Sequence, residues 1–357
     1  MSAEDRATGA EHVIGTHTAP DCQSLIASIV CPKRSMPSNA RLRWKILSTA
    51  LQPKTSPPDP QASTPPVGSC RRFESFGLIE LRTKCGDNED NCQQISKEDH
   101  SMSTDSHPKR SLLDGKWYEC RLWDNRRQSF DRTVVDIKIL TERIAIHELT
   151  DPKTDNTGNV CLWPSEEVLS YYVHENRSLF TGKLVVELGG GMTCLSGLAT
   201  AIFTDAKQVV VTDGNQRCVS NVQTIIDGNR HRLRAAIKCR RLVWGEDSHF
   251  NDLSGGVDVI VCSDCLYFDD SRHLLVHTIR KLLNSTGIAI ILAPKRGQTF
   301  ERFVRLADEW FDLQIIEDYD QLVTDLHQKF VSKETESHYT PDLHYPVMIR
   351  MTNRSSV

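Results

Sequence analysis

A glycine-rich turn next to two acidic residues is the part of this sequence whose residue types best fit a ligand site. Three consecutive glycines at 189–191 follow the apolar run 184–188, and Glu187 stands two positions before the first of them. Asp213 follows a second apolar run, 208–212. Glycine lets the backbone approach a ligand closely because it has no side chain, and open α/β sheets bind ligands where a first strand meets its helix. These residues predict a nucleotide-containing cofactor at the turn.

The charges around the turn indicate which cofactor this is. A dinucleotide fingerprint, G-x-G-x-x-G, would need glycine where Cys194 stands, and the Gly-Lys-Ser/Thr of a phosphate-binding loop is missing. Glu187 would repel a pyrophosphate but suits a cofactor with a positive sulfonium and a positive ammonium group. Asp213 can accept hydrogen bonds from both ribose hydroxyls. The sequence therefore predicts S-adenosyl-L-methionine as cofactor, and methyl transfer as the reaction.

Two tryptophans are further candidates for cofactor contact. Trp244 follows the third predicted strand, where it would offer a flat surface to adenine or close the edge of the sheet. Trp163 would lie over the cofactor or fix the start of the helix predicted at 165–175. Sequence spacing leaves both pairs of alternatives open.

The cysteines do not form a recognisable metal site. The chain has 12 cysteines, and Cys262 and Cys265 have C-x-x-C spacing. A structural zinc ion needs four ligands, and the sequence has no second pair of cysteines that would complete the set with Cys262 and Cys265. We predict reduced core cysteines and no bound metal.

The elements that must position these residues alternate between strand and helix from about Ser165 onward. Near-continuous apolar strands joined by helices predict a parallel sheet covered on both faces. The predicted strands are 184–188, 208–212, 237–243, 257–263 and 288–292, with 313–316 and 345–351 as a closing antiparallel pair. The fold class is therefore α/β.

The first 150 residues have a different character. Residues 1–69 are rich in Ser, Thr, Pro and Ala, which predicts a mostly disordered extension. A candidate basic amphipathic helix at 41–52 would dock on the enzyme itself, on an acidic protein substrate or on an anionic membrane surface. Residues 70–150 are predicted to form a smaller β-rich N-terminal module with a long insertion loop at 83–110, and 151–357 the methyltransferase domain.

Composition narrows the class of protein. A net charge of −4 over 357 residues lacks the positive field of a general nucleic-acid binder, so no nucleic-acid partner is expected. No apolar run approaches the roughly 20 residues that span a bilayer, and the N-terminus has no signal-peptide pattern. We expect a cytoplasmic protein, and leave nuclear entry and oligomeric state open.

Longer motifs resemble the seven-strand, class I lysine methyltransferases. They lie at 71–76, 155–169, 187–195, 212–215 and 343–346, and the resemblance is nearly continuous from about 152 to 350. It implies a Rossmann-like seven-stranded sheet and a methyltransferase acting on lysine. By this resemblance the cofactor contacts fall on Trp163, Gly189, Gly190, Gly191, Asp213, Trp244 and Ser263; Glu187 is added from its charge and position.

The resemblance also implies a substrate and two catalytic residues. The string at 263–267 resembles the D-x-x-Y element of this family, with Asp264 and Tyr267 at the mouth where the substrate nitrogen enters. The implied substrate is calmodulin, and the implied product is trimethyllysine. Open alternatives are another protein, RNA or a small molecule as substrate, or a noncatalytic binding module that retains the fold.

Overall fold

The computed structural model describes residues 73, 75–84, 115–140, 161–267, 270–332 and 339–354. The predicted extension at 1–69 with its helix at 41–52, most of the insertion loop and the last ten residues of the predicted N-terminal module, 141–150, lie outside these residues. The division of the chain at residues 69 and 150 remains a prediction.

A small antiparallel sheet comes first in the chain. Its strands are β1 (Ile79–Thr83), β2 (Lys116–Asp124), β3 (Ser129–Phe130) and β4 (Val135–Ile139). The central strand β2 pairs with each of the other three. Leu122 on β2, together with Val135 and Ile137 on β4, is fully buried in the hydrophobic core that also contains the main sheet.

A seven-stranded sheet forms the centre of the protein. Its strands are β5 (Leu184–Leu188), β6 (Gln208–Asp213), β7 (Ala236–Arg241), β8 (Val257–Ser263), β9 (Leu283–Ala293), β10 (Phe311–Ile316) and β11 (Val347–Asn353). The order across the sheet is β10-β11-β9-β8-β5-β6-β7. The strands from β5 to β9 pair in parallel, whereas β11 is antiparallel to both β9 and β10. The predicted α/β class and closing antiparallel pair are confirmed.

Helices connect the strands of this sheet. They are α1 (Pro164–Glu175), α2 (Leu195–Phe203), α3 (Gln216–Gly228), α4 (Arg272–Leu282), α5 (Thr299–Asp308), α6 (Gln321–Ser332) and the single turn α7 (Pro341–His344). Every residue of α2 is buried, as its apolar sequence predicts. None of the helices in the described ranges is long and apolar enough to cross a membrane.

The register of three neighbouring strands positions the site. Val185 on β5 lies opposite Val209 on β6 and opposite Val259 on β8. Because these strands are parallel and in step, the turns that follow them emerge side by side at one edge of the sheet. Polar residues far apart in the chain therefore meet at that edge.

Candidate active site

A cavity of about 260 Å³ lies at this edge of the sheet, close to the lower end of the range for small-molecule sites, about 300 Å³. It is lined by the turns after β5, β6, β7 and β8 and by the start of α1. The predicted site residues that line it are Trp163, Gly189, Gly190, Gly191, Asp213, Trp244, Ser263, Asp264 and Tyr267. The structure thus brings together all of the predicted residues except Glu187.

The glycine turn leaves no room for side chains. A Cβ atom on Gly189 would lie 2.7 Å from Cys265 Sγ and 3.0 Å from the ring of Trp244, and one on Gly190 would lie 2.6 Å from Cys194 Sγ. Gly189 also has a φ of 65°, a left-handed conformation that costs other residues roughly 1–2 kcal/mol. Gly189 is therefore required both by the lack of space and by its positive φ, and Gly190 by the lack of space.

Glu187 is not among the residues that line the cavity, so its cofactor contact stays a prediction for which the cavity gives no support. Its side chain is buried, with Oε1 accepting a hydrogen bond from Ser196 Oγ. Its Oε2 accepts one from the backbone N–H of Gly197 at 3.0 Å. Side chains alternate between the faces of a strand, and this position of β5 directs Glu187 toward the first turn of α2. It positions the helix that follows the glycine turn.

Asp213 connects two of the turns that line the cavity. Its Oδ2 accepts a hydrogen bond from the N–H of Gly191 at 3.0 Å, and its Oδ1 accepts one from the N–H of Asn215 at 2.8 Å. Burial raises the pKa of Asp213 to about 6, although both backbone hydrogen bonds oppose the shift. A carboxylate has about four acceptor sites, so both oxygens retain capacity for ribose hydroxyls.

Glu166 is a cavity residue that the sequence reasoning missed. It lies in the first turn of α1, and its Oε1 accepts hydrogen bonds from Thr193 Oγ1 at 2.6 Å and from the N–H of Leu195 at 2.8 Å. Burial, followed by repulsion from Glu187, raises its pKa to about 8. In the sequence it resembles an ordinary acidic residue at a helix start, and its position three residues after Trp163 is the signal that could have identified it.

Asp264 forms an ion pair with Arg296, the second residue that sequence reasoning missed. Arg296 Nη1 lies 2.5 Å from Asp264 Oδ1, and Nη2 lies 2.8 Å from Oδ2. The same guanidinium lies 5.6 Å from the ring centre of Trp163 and 6.0 Å from that of Tyr267. The Asp264 backbone has a φ of 55°, which turns the chain sharply after β8. Arg296 thus links both predicted catalytic residues to the tryptophan.

The charges that line the cavity favour a cationic ligand. Three acidic residues line it, Glu166, Asp213 and Asp264, and among the described residues no lysine or arginine does. A phosphate would be repelled by these carboxylates, whereas a sulfonium and an ammonium group would be attracted. With two tryptophans and a glycine turn beside the acids, the donor set fits S-adenosyl-L-methionine.

Other groups with ligand chemistry lie away from the cavity or have partners. Cys262 and Cys265 are buried and form no disulfide; Cys265 lines the cavity, where its Sγ donates to the backbone oxygen of Ser263 at 3.2 Å. Asp124, Asp131 and His174 place potential ligand atoms within 4.8 Å of one another, but the guanidinium of Arg127 contacts both aspartates. A cation is therefore already present in that cluster, which acts as an ion-pair network between β2 and α1.

The chain is similar in sequence to known lysine methyltransferases. A family model described as lysine methyltransferase matches residues 143–310. A calmodulin-lysine N-methyltransferase of Arabidopsis thaliana is 31% identical over 324 residues, which are 89% of this chain and 98% of that protein. A protein N-lysine methyltransferase of Danio rerio, METTL21A, is 27% identical over 43% of this chain and 68% of that protein. An Aquifex aeolicus SAM-dependent methyltransferase structure aligns over 58% of this chain and 98% of its own at a TM-score of 0.38 and 11% identity.

Proposed function

The chain belongs to the lysine methyltransferase family, and on that premise we propose that the protein it methylates is calmodulin. It is an S-adenosyl-L-methionine-dependent protein-lysine N-methyltransferase. The observation that supports calmodulin is the extent of the likeness to the plant enzyme, which covers 98% of that enzyme and reaches beyond the methyltransferase domain.

The reaction requires a neutral lysine amine. When bound, S-adenosyl-L-methionine supplies an electrophilic methyl group, and a protonated amine has no lone pair with which to attack it. With a free pKa of about 10.4, removing the proton at about pH 7.4 costs roughly 4 kcal/mol. Partial dehydration at the mouth of the cavity lowers the pKa of the incoming lysine. Water carries the proton away.

Asp264 orients this amine instead of acting as the base. Arg296 binds both carboxylate oxygens of Asp264, so much of its charge is compensated, and it stabilises a protonated lysine less than a free carboxylate would. The oxygens still have acceptor sites for an N–H of the amine. Fixing the direction of approach of the nitrogen supplies much of the acceleration.

Tyr267 presents an aromatic face to the same region and would contact the methylammonium group as it grows. We propose trimethyllysine as the product on this basis. If Asp264→Asn and Tyr267→Phe both retain wild-type turnover while Asp213→Ala loses cofactor binding, these roles for Asp264 and Tyr267 are wrong.

The substrate is tested by incubating the full chain with S-adenosyl-L-methionine and calmodulin, followed by peptide mass spectrometry. We expect one lysine of calmodulin to carry three methyl groups, and the Asp264→Asn variant to leave most of it unmodified. Unmodified calmodulin, in a preparation that methylates other lysate proteins, would exclude calmodulin as the substrate. Incorporation of label into an RNA or small-molecule fraction instead would favour the alternatives.

The predicted basic helix at 41–52 lies outside the described residues, and its role is tested separately. Removal of residues 1–52 should raise the Michaelis constant for calmodulin if the helix binds this acidic protein. An unchanged Michaelis constant would exclude substrate binding by this helix, and docking of the helix on the enzyme itself or on a membrane would remain. The cytoplasmic location also remains a prediction.

A further inference from the structure

The carboxylates at the cavity and directly behind it differ in how many of their oxygens already have hydrogen-bond partners. Both oxygens of Asp213 accept backbone hydrogen bonds, and both of Asp264 are bound by Arg296. Both oxygens of Glu187 are bonded to the start of α2. Glu166 differs because both of its hydrogen bonds, from Thr193 and Leu195, go to Oε1.

Oε2 of Glu166 is therefore the carboxylate oxygen at the cavity for which the described residues offer no hydrogen-bond donor. Glu166 is only 6% exposed, yet it lines the cavity, so the exposed part of its side chain faces the ligand space. A buried carboxylate without a compensating charge is costly. No lysine or arginine in the described ranges lines the cavity, so without ligand this carboxyl group is favoured in its protonated, neutral form, and a cationic group of the ligand would favour its ionised form.

We propose that Glu166 binds the α-ammonium group of the methionine moiety of S-adenosyl-L-methionine through Oε2. The ammonium is favoured over the sulfonium because it carries three N–H donors, whereas a sulfonium has none. Oε1 of the same carboxylate accepts hydrogen bonds from Thr193 and Leu195, which lie two and four residues after the last glycine of the turn, so these bonds hold Glu166 beside the turn. This inference concerns the cofactor alone and does not depend on which protein is methylated.

The electrostatics agree with a role in cation binding. Burial and repulsion from Glu187 and Asp213 raise the pKa of Glu166 to about 8. A cation next to the carboxylate favours its ionised form and lowers its pKa. The interaction free energy with an ammonium group should therefore be larger for this buried side chain than for an exposed glutamate.

The test compares two ligands that differ in the amino-acid part. S-adenosylhomocysteine carries the α-ammonium but no sulfonium, whereas 5′-methylthioadenosine lacks the whole amino-acid moiety. We expect Glu166→Gln to weaken S-adenosylhomocysteine binding by about tenfold to a hundredfold, as for loss of a charge-assisted hydrogen bond, and to leave methylthioadenosine binding unchanged. Isothermal titration calorimetry on the full chain measures both affinities.

A matched control separates recognition from support of the turn. Thr193→Val removes one hydrogen bond to Glu166 Oε1 without changing a charge, so it should affect both ligands by the same factor. Glutamine keeps an acceptor for Thr193 and Leu195, and binding of methylthioadenosine reports that the site has folded. If Glu166→Gln weakens both ligands equally, or weakens neither, Glu166 does not bind the ammonium and the proposal is overturned.

Discussion

The two sides of the cavity hold their acidic residues in different ways. On the side proposed to bind the cofactor, Asp213 is held by the N–H groups of Gly191 and Asn215. Glu166 is held there by the N–H of Leu195 and the hydroxyl of Thr193, and within the described residues no cationic side chain bonds to either carboxylate. On the substrate side, Asp264 is fixed by the guanidinium of Arg296, which comes from the loop after β9. The first arrangement keeps the charge available for a cationic cofactor, and the second compensates it before a lysine arrives.

This difference predicts that substitutions on the two sides of the cavity affect different quantities, cofactor affinity on one side and turnover on the other. The cofactor side depends on many backbone contacts, so single changes there should weaken cofactor binding by moderate factors. The substrate side depends on one arginine, so its loss should lower turnover and leave cofactor affinity intact.

Loss of Arg296 should have the largest effect. Arg296→Met leaves the carboxylate of Asp264, which is 8% exposed, without its cation and free to move. We expect turnover to fall by roughly a hundredfold, as for misplacement of a reacting group by about 1 Å, with S-adenosylhomocysteine affinity nearly unchanged. Arg296→Lys keeps the charge but not the two-point contact, so it should restore turnover only in part. Equal turnover of the two variants would contradict a positioning role.

Asp213→Ala should have the second largest effect, and it should lower cofactor affinity more than turnover. Removal of charge-assisted hydrogen bonds worth roughly 1.5–3 kcal/mol each should weaken cofactor binding by about tenfold to a hundredfold or more. Turnover at saturating cofactor should fall much less than in Arg296→Met. Titration calorimetry and steady-state kinetics on the same preparation check both. A fall in turnover without a change in cofactor affinity would contradict the assignment of Asp213 to cofactor binding.

The pH dependence of cofactor binding should show a smaller effect. The buried acids of the cofactor side have pKa values raised to about 8 for Glu166, about 7 for Glu187 and about 6 for Asp213. The thiol of Cys194, which faces them, has a pKa well above its ordinary value and stays neutral. A cationic ligand favours ionised carboxylates, so affinity should rise by about tenfold between about pH 6 and pH 8.

The raised pKa values of these acids also determine whether the free energy of unfolding rises or falls with pH. Without ligand, Glu166 has a folded-state pKa above its ordinary 4.5, so between about pH 4.5 and pH 8 the folded state binds more protons than the unfolded state. The contribution of Glu166 to the free energy of unfolding therefore falls as pH rises through this window. Thermal unfolding with and without S-adenosylhomocysteine tests this, and Glu166→Gln should flatten both profiles. Cofactor affinity that falls with rising pH would contradict the assignment.

Glu167 should have the smallest effect on the cofactor, although it is the next residue of α1. Its carboxylate accepts hydrogen bonds from the N–H groups of Phe76 at 2.9 Å and Leu78 at 2.7 Å, so it holds the segment before β1 on the main domain. Glu167→Gln places an amide against these donors and should cost about 1–3 kcal/mol in the free energy of unfolding. Denaturant titration checks this. Cofactor affinity reduced as much as in Glu166→Gln would remove the distinction between the two glutamates.

Much of the fold could be predicted from the sequence. The bounds predicted for β5 and β8 coincide with those observed, because a buried parallel strand needs a short, nearly continuous apolar run. By contrast, β9 begins at Leu283, before the predicted 288, because its polar residues at 284–286 interrupt the apolar pattern.

The candidate site was predictable where a local requirement determines the residue type. The glycines at 189–191 and Asp213 at the end of β6 are examples, because a tight turn and a strand end are recognisable within a few residues. Arg296 gave no such signal, since its partner Asp264 lies 32 positions away.

Local sequence patterns were enough to predict the order of strands and helices along the chain, the glycine turn and the acids that follow the strands. Which acids face the cavity depends on the packing of the elements, which places Glu166 at the cavity and Glu187 against α2. The physical reason is that apolar periodicity and glycine geometry act over a few residues, whereas the direction and partners of a side chain depend on elements that meet only when the sheet is packed. Thr193 and Glu166, 27 positions apart, illustrate this.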